Sequence, residues 1–200
     1  MATGDRAPEK AAAATPPARD FAQTRVAAFL RDEGTDPSTC AIQRVGLRFP
    51  GWTFVSVACE PRHQAMDHGL PDRPVVVRDD GTICQGKPED EVARFLASLG
   101  LPDAAPAEPL HRVARAVLFF AGDPAMVVEA RDVAGWMRNR KGADLAEPSL
   151  AIQGNGATLT FWTQVSGSGR QPPTFKRFEV RLDAKGRVTI KQKTFKTTSR

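Results

Sequence analysis

The chain has 200 residues, a formal net charge of +5, and 41% hydrophobic and 26% charged residues. These values are typical of a globular protein, and a chain of this length can bury a core large enough to fold without a metal or a disulfide framework. The longest apolar runs fall well short of the roughly 18 residues that a transmembrane helix requires, so the sequence predicts no membrane span.

Residues 1–19 are predicted to be a disordered tail. They are rich in Ala and Pro, and charged residues stand where a secretory signal peptide needs its apolar core. We therefore expect a cytoplasmic location.

The first half of the chain is predicted to form helices and antiparallel strands over residues 20–100. Asp20 is a suitable N-cap, Gly34 ends the first helix, and Pro88 suits the first turn of the second. In chain order the predicted elements are a helix at 20–33, strands at 40–49 and 52–59, a hairpin at 74–86 that turns at Asp80-Gly81, and a helix at 88–99.

Residues 101–109 are short of large hydrophobic residues and rich in Pro and Ala, which indicates a linker. The second half, 110–195, begins with a helix at 110–121. Asp123-Pro124 then predicts the start of a further helix toward Asn139. Strands follow at 149–153, 157–165, 174–182 and 187–193.

The order of these elements predicts an α+β fold in which helices pack on one side of antiparallel sheets. The two halves form two successive helix-plus-sheet modules in this interpretation. The similar segments RVAAFLRDEG, EVARFLASLG and RVARAVLFFAG are compatible with duplication, although amphipathic helices built from Ala and Arg also resemble one another by chance.

The clearest chemical signal is the segment 175–193, which alternates apolar and polar residues on both sides of a turn at 183–186. Its inward positions are apolar and its outward positions are nearly all basic. Residues 170–200 contain 10 Lys or Arg against 2 Asp or Glu, an excess that is larger than the net charge of the whole chain. We therefore predict a basic sheet face that contacts an anionic partner.

The preceding strand adds an aromatic residue to this prediction. If Phe161 points into the core, Trp162 lies on the outer face, and the candidate binding residues are Trp162, Arg177, Arg181, Arg187, Lys191 and Lys193. An exposed indole among cations would suit stacking with the bases of single-stranded nucleic acid. The alternatives are a solvated sheet face, a Trp162 ring stacked under Arg181, or a Trp162 ring covered by a loop.

The three cysteines, Cys40, Cys59 and Cys84, are too few and too scattered to indicate a disulfide framework. The pattern favours small buried thiols at Cys59 and Cys84. A Cys59–Cys84 bridge between neighbouring strands is the alternative if the protein is exported.

The polar loop at 59–72 could hold a second kind of site. Its potential metal ligands are Cys59, Glu60, His63, Asp67, His68 and Asp72. Pairs such as Cys59 with His63, or Cys84 with His68, could also support nucleophilic catalysis. Their spacing matches no established metal or protease motif.

The leading hypothesis is a non-enzymatic binding module whose basic face contacts an acidic protein surface or nucleic acid, with a protein partner favoured because no nucleic-acid recognition motif is present. The alternative is a small hydrolase or metal-dependent enzyme centred on the Cys59–Asp72 loop. A third hypothesis is a structural domain whose basic face only maintains solubility. The sequence assigns no catalytic residue, cofactor or bound metal.

Overall fold

The computed structural model describes residues 19–59, 73–123, 126–128, 145–165 and 174–196. These residues form helices and two antiparallel sheets, so the predicted α+β fold is confirmed. The predicted tail lies outside the described residues except for Arg19, which begins the first helix. The elements are α1 (Arg19–Asp32), a short 3-10 turn (Pro37–Thr39), β1 (Cys40–Phe49), β2 (Trp52–Cys59), β3 (Arg73–Arg78), α2 (Pro88–Ser98), α3 (Leu110–Ala121), β4 (Met126–Val127), β5 (Ser149–Gln153), β6 (Gly156–Val165), β7 (Thr174–Leu182) and β8 (Val188–Lys196).

The first sheet has the strand order β1-β2-β3 and carries helices on both of its faces. Alternation along β2 explains this, because successive side chains point to opposite faces of a strand. Val55 and Val57 pack with α1, whereas Trp52 and Phe54 belong to the cluster that contains α2 and α3. Among the described helices, α1 alone therefore lies on the outer side of this sheet.

The second sheet has the order β4-β6-β7-β8, with β5 also paired to β6. Its inner face contributes Phe161, Phe178 and Val180 to the same cluster as α2 and α3. These two helices thus lie between the two sheets, and the helices described for the second sheet cover one face of it, as the sequence predicts.

The β7–β8 hairpin has one face toward the core and the other face outward. Asp183 N–H donates to the Arg187 carbonyl and Gly186 N–H donates to the Asp183 carbonyl, both at 2.9 Å. Gly186 has φ +73°, a left-handed conformation that glycine adopts without the steric cost of a Cβ atom. The predicted turn is therefore confirmed, and it fixes the register of the strands that carry the basic residues.

The helix predicted to start at Asp123-Pro124 is wrong at its beginning. Met126 and Val127 form β4, which pairs with Gln164 and Thr163 of β6. Asp123 does not begin a helix there, and its carboxylate accepts a hydrogen bond from Lys176 at 2.8 Å. Sheet pairing has overridden the local helix signal. The remainder of that predicted helix lies outside the described residues.

The predicted linker at 101–109 joins two helices that contact one another. Leu101 is buried in the main cluster, and Glu108 forms an ion pair with Arg112 in the first turn of α3. The main cluster contains residues from both predicted modules, including Phe54 and Phe161. The division into modules stays a prediction.

Candidate binding face

Four of the predicted cations lie on the outer face of β7 and β8. Strand alternation places them there, because Phe178, Val180 and Leu182 occupy the inward positions between them. All four are exposed. We call this group, Arg177, Arg181, Lys191 and Lys193, the basic face.

Two of these cations stand directly opposite each other. Arg177 of β7 pairs in register with Lys193 of β8, and its neighbour on the other side is Trp162 of β6. Within the described part of the chain, no carboxylate lies within ion-pair distance of Arg177 or Lys193. Like charges in directly opposed positions destabilise a sheet, so this arrangement has an electrostatic cost in the free protein.

One carboxylate, Glu179, lies among the outer positions of β7 and β8. Glu179 forms an ion pair with Arg181 at 2.6 Å and stands opposite Lys191 in the register. The described outer positions of β7 and β8 thus hold four cations and one anion, and the excess positive charge is greatest around Arg177 and Lys193.

Arg187, the remaining predicted cation, lies in the turn rather than on a strand. Its Nη2 atom is 2.7 Å from an oxygen of Asp183, and its backbone N–H also donates to that carboxylate. The hydrogen bonds from Arg187 hold the pKa of Asp183 below its usual range. Arg187 therefore stabilises the turn, and its charge is locally compensated.

The structure places Trp162 on the predicted face but does not leave its ring exposed. Trp162 is 4% exposed and belongs to a small hydrophobic cluster with Val128, Leu145 and Phe175. The Phe195 ring packs against it at a centroid distance of 4.9 Å. The expected exposed indole is therefore wrong, and the alternative of a covered Trp162 ring applies, because Leu145 and Val128 pack with it.

A shallow groove of about 480 Å³ adjoins this cluster beside the basic face. Ser149 and Thr160 line it from β5 and β6, and Arg177 and the exposed Glu147 also line it. The Nζ atom of Lys193 lies 5.2 Å from the centroid of the Phe195 ring, which also lines the groove. Apolar and cationic side chains are thus adjacent on this surface.

The cysteines differ from both alternatives that the sequence favoured. Cys40 and Cys59 form a disulfide, and Cys84 is free. Cys59 is therefore not a buried thiol, a partner of Cys84, a thiolate ligand or a nucleophile. The two half-cystines pair in register at the ends of β1 and β2, which makes the cross-link local to one hairpin.

Residues 60–72, including Glu60, His63, Asp67, His68 and Asp72, lie outside the described residues. The predicted metal or catalytic loop therefore stays a prediction, without Cys59 as a ligand. In the described ranges, no group of three or more His, Cys, Asp or Glu side chains could hold a metal ion. Burial and the nearby Glu91 carboxylate raise the pKa of the Cys84 thiol to about 12, which is unfavourable for a nucleophile at neutral pH.

A buried charged group that the sequence did not indicate lies between β3 and α2. The Glu91 side chain is 8% exposed and forms ion pairs with Arg78 at 2.9 Å and Arg94 at 2.8 Å. The Arg78 guanidinium also lies 5.2 Å above the Trp52 ring. Glu91 is buried with the apolar residues of an amphipathic helix. A charged residue at such a position is the signal that could have identified it from the sequence.

Searches against family models, curated proteins and solved structures found no match for this chain. Within the described ranges, no helix is long and apolar enough to cross a membrane.

Proposed function

We propose that this protein is a non-enzymatic binding module whose basic face contacts an acidic protein segment. The observation that supports the proposal is the direct opposition of Arg177 and Lys193, neither of which forms an ion pair with a described carboxylate. A bound carboxylate between them would form charge-assisted hydrogen bonds and relieve their mutual repulsion. A partner therefore gains affinity from an arrangement that destabilises the free sheet.

An acidic protein is favoured over nucleic acid because of Trp162. Single-stranded nucleic acid gains much of its affinity by stacking bases on exposed aromatic rings. The Trp162 ring is covered and the Phe195 ring is only partly exposed, so this surface offers cations with little aromatic surface for stacking. Carboxylates on a protein segment need only the cations.

The disulfide bears on where such an interaction would take place. Disulfides between neighbouring strands form and persist in oxidising compartments and are rare in the cytosol. The Cys40–Cys59 bond therefore favours an extracytoplasmic location over the cytoplasmic one that the sequence predicts. A partner would then be an extracytoplasmic acidic protein.

Charge reversal on the basic face tests the proposal. Arg177→Glu combined with Lys191→Glu should weaken binding of a fluorescent polyglutamate peptide by about tenfold or more, because attraction is replaced by repulsion at two positions. Binding of the unchanged protein should also weaken as salt is added. Fluorescence anisotropy at two salt concentrations measures both effects.

A matched control carries the same change in net charge elsewhere. Arg31→Glu with Arg115→Glu alters two exposed helix residues outside the basic face, and it should retain polyglutamate binding within about twofold. Equal loss of binding in both double variants would indicate a bulk charge effect and contradict the proposal. Tighter binding of a single-stranded oligonucleotide than of polyglutamate would favour a nucleic-acid partner instead.

A further inference from the structure

Strand β8 forms an edge of the second sheet in the described part of the chain. It pairs with β7 in continuous register from Val188 to Lys196, and no other described strand pairs with it. The nine residues contain no proline and no bulge. Such an edge offers unpaired backbone N–H and C=O groups that an extended chain can bind.

The turn identifies the residues whose backbone groups face this free edge. Because Asp183 N–H donates to the Arg187 carbonyl, these two residues form a hydrogen-bonded pair. Hydrogen-bonded and non-hydrogen-bonded pairs alternate along an antiparallel ladder. Thr189, Lys191, Lys193 and Phe195 therefore bond to β7. The residues with outward backbone groups are Val188, Ile190, Gln192 and Thr194.

The outer side chains of β8 are basic and therefore favour the addition of a strand with acidic side chains. Lys191 and Lys193 project from the outer face of the edge strand itself. A second copy of β8 would bring lysines close to lysines, which is unfavourable, whereas a strand with glutamates on that face would pair opposite charges. The edge is thus unsuited to self-pairing and complementary to an acidic strand.

The inner side of the same edge can accept apolar side chains. A groove of about 440 Å³ opens there between the sheet and the ends of α2 and α3. The partly exposed Ile190 contributes apolar surface, as does Pro88 from the start of α2, while Phe178 behind them is 2% exposed. The groove also has polar lining residues, namely Glu89, Asp123, Lys176 and Gln192. A strand that alternates acidic and apolar residues would place one set beside the lysines and the other toward this groove.

We propose that the acidic partner adds an extended segment to the free edge of β8, with glutamates or aspartates on its outer face and apolar residues on its inner face. This inference rests on the proposed function, since it uses the same basic face, and it specifies how the partner is held. Backbone hydrogen bonds from the edge would supply affinity, and the lysines would supply selectivity.

Backbone methylation of a probe peptide tests strand addition without altering the protein. The probe is a synthetic peptide that alternates glutamate and valine, and two matched versions carry N-methyl groups on the glutamates or on the valines. In an added strand only one of these two sets donates hydrogen bonds to β8. One methylated peptide should bind about tenfold or more weakly, and the other should bind within about threefold of the parent.

The outcomes separate strand addition from charge attraction. Near-equal affinity of all three peptides, with loss of binding in the Arg177→Glu, Lys191→Glu variant, would overturn strand addition and leave the proposed function intact. No binding of the unmethylated peptide or of polyglutamate to the unchanged protein would overturn both.

Amide hydrogen exchange provides a second readout. Peptide binding should slow exchange at Ile190, Gln192 and Thr194, whose N–H groups face the free edge. The N–H groups of Lys191 and Lys193 already bond to β7 and should be protected before the peptide is added. Binding that leaves exchange at the first three residues unchanged would overturn the inference.

Discussion

At the level of single residues, Glu91 is a buried charged side chain that links two packed elements. Its carboxylate joins Arg78 on β3 to Arg94 on α2. The Nε atom of Arg78 is buried without a hydrogen-bond partner in the described structure, so Glu91 provides the compensating charge. Removing one member of a buried ion pair leaves the other desolvated and uncompensated.

We predict that Glu91→Gln lowers the free energy of unfolding by about 1–3 kcal/mol. The value lies below that for a fully buried pair because 27% of the Arg78 side chain is exposed. Urea denaturation followed by circular dichroism measures the change.

Arg94→Gln is the control for this prediction. The Arg94 side chain is 58% exposed, and its loss should lower stability by about 0.5 kcal/mol or less. Equal stability of the two variants would show that the Arg78–Glu91 ion pair does not dominate the contribution of Glu91 to the free energy of unfolding.

At the level of elements, the Cys40–Cys59 disulfide closes the β1–β2 hairpin at its open end. The cross-link restricts the unfolded chain over the 19-residue separation between the two cysteines. We predict that reduction lowers the free energy of unfolding by about 3 kcal/mol. Urea denaturation with and without reductant measures the difference.

A Cys84→Ala variant controls for effects of the free thiol. It should show the same loss of stability on reduction as the unchanged protein, because Cys84 takes no part in the bond. A midpoint that does not change with reductant would contradict a stabilising role for the disulfide.

The disulfide also shows why part of the fold could not be predicted from the pattern. Alternation and turn residues correctly indicated β1 and β2, but the register shifts between Arg44 and Arg48. Without that irregularity, the pairing of Phe49 with Trp52 would place Cys40 opposite position 61 rather than Cys59. A register shift inside a strand depends on tertiary packing, and the local amino-acid composition does not predict it.

For the candidate binding face, the sequence predicted the outward cations but not the burial of Trp162. Alternation at period two correctly placed Arg177, Arg181, Lys191 and Lys193 outward, since that property is local to the strands. The cover over Trp162 was not predictable because Val128 and Leu145 reach it from distant parts of the chain. Local patterns assign a side chain to a face, but only the tertiary structure determines what covers that face.

At the level of the whole molecule, the two predicted modules share aromatic contacts. Phe120 of α3 lies within 5.8 Å of the rings of Trp52, Phe54 and Phe95, measured between ring centroids. These partners all belong to the first half of the chain, and Phe161 of the second half joins the same cluster. Separating the halves would expose this apolar surface to water, which is unfavourable.

We therefore predict that the chain unfolds in one cooperative transition rather than module by module. Two variants provide probes in different sheets: Trp136→Phe with Trp162→Phe leaves Trp52, and Trp52→Phe with Trp136→Phe leaves Trp162. In each variant, urea denaturation followed by tryptophan fluorescence should coincide with the loss of far-UV circular dichroism, because coincident transitions indicate a single folding unit. A fluorescence midpoint that separates from the circular dichroism midpoint in either variant would instead support two independently folding modules.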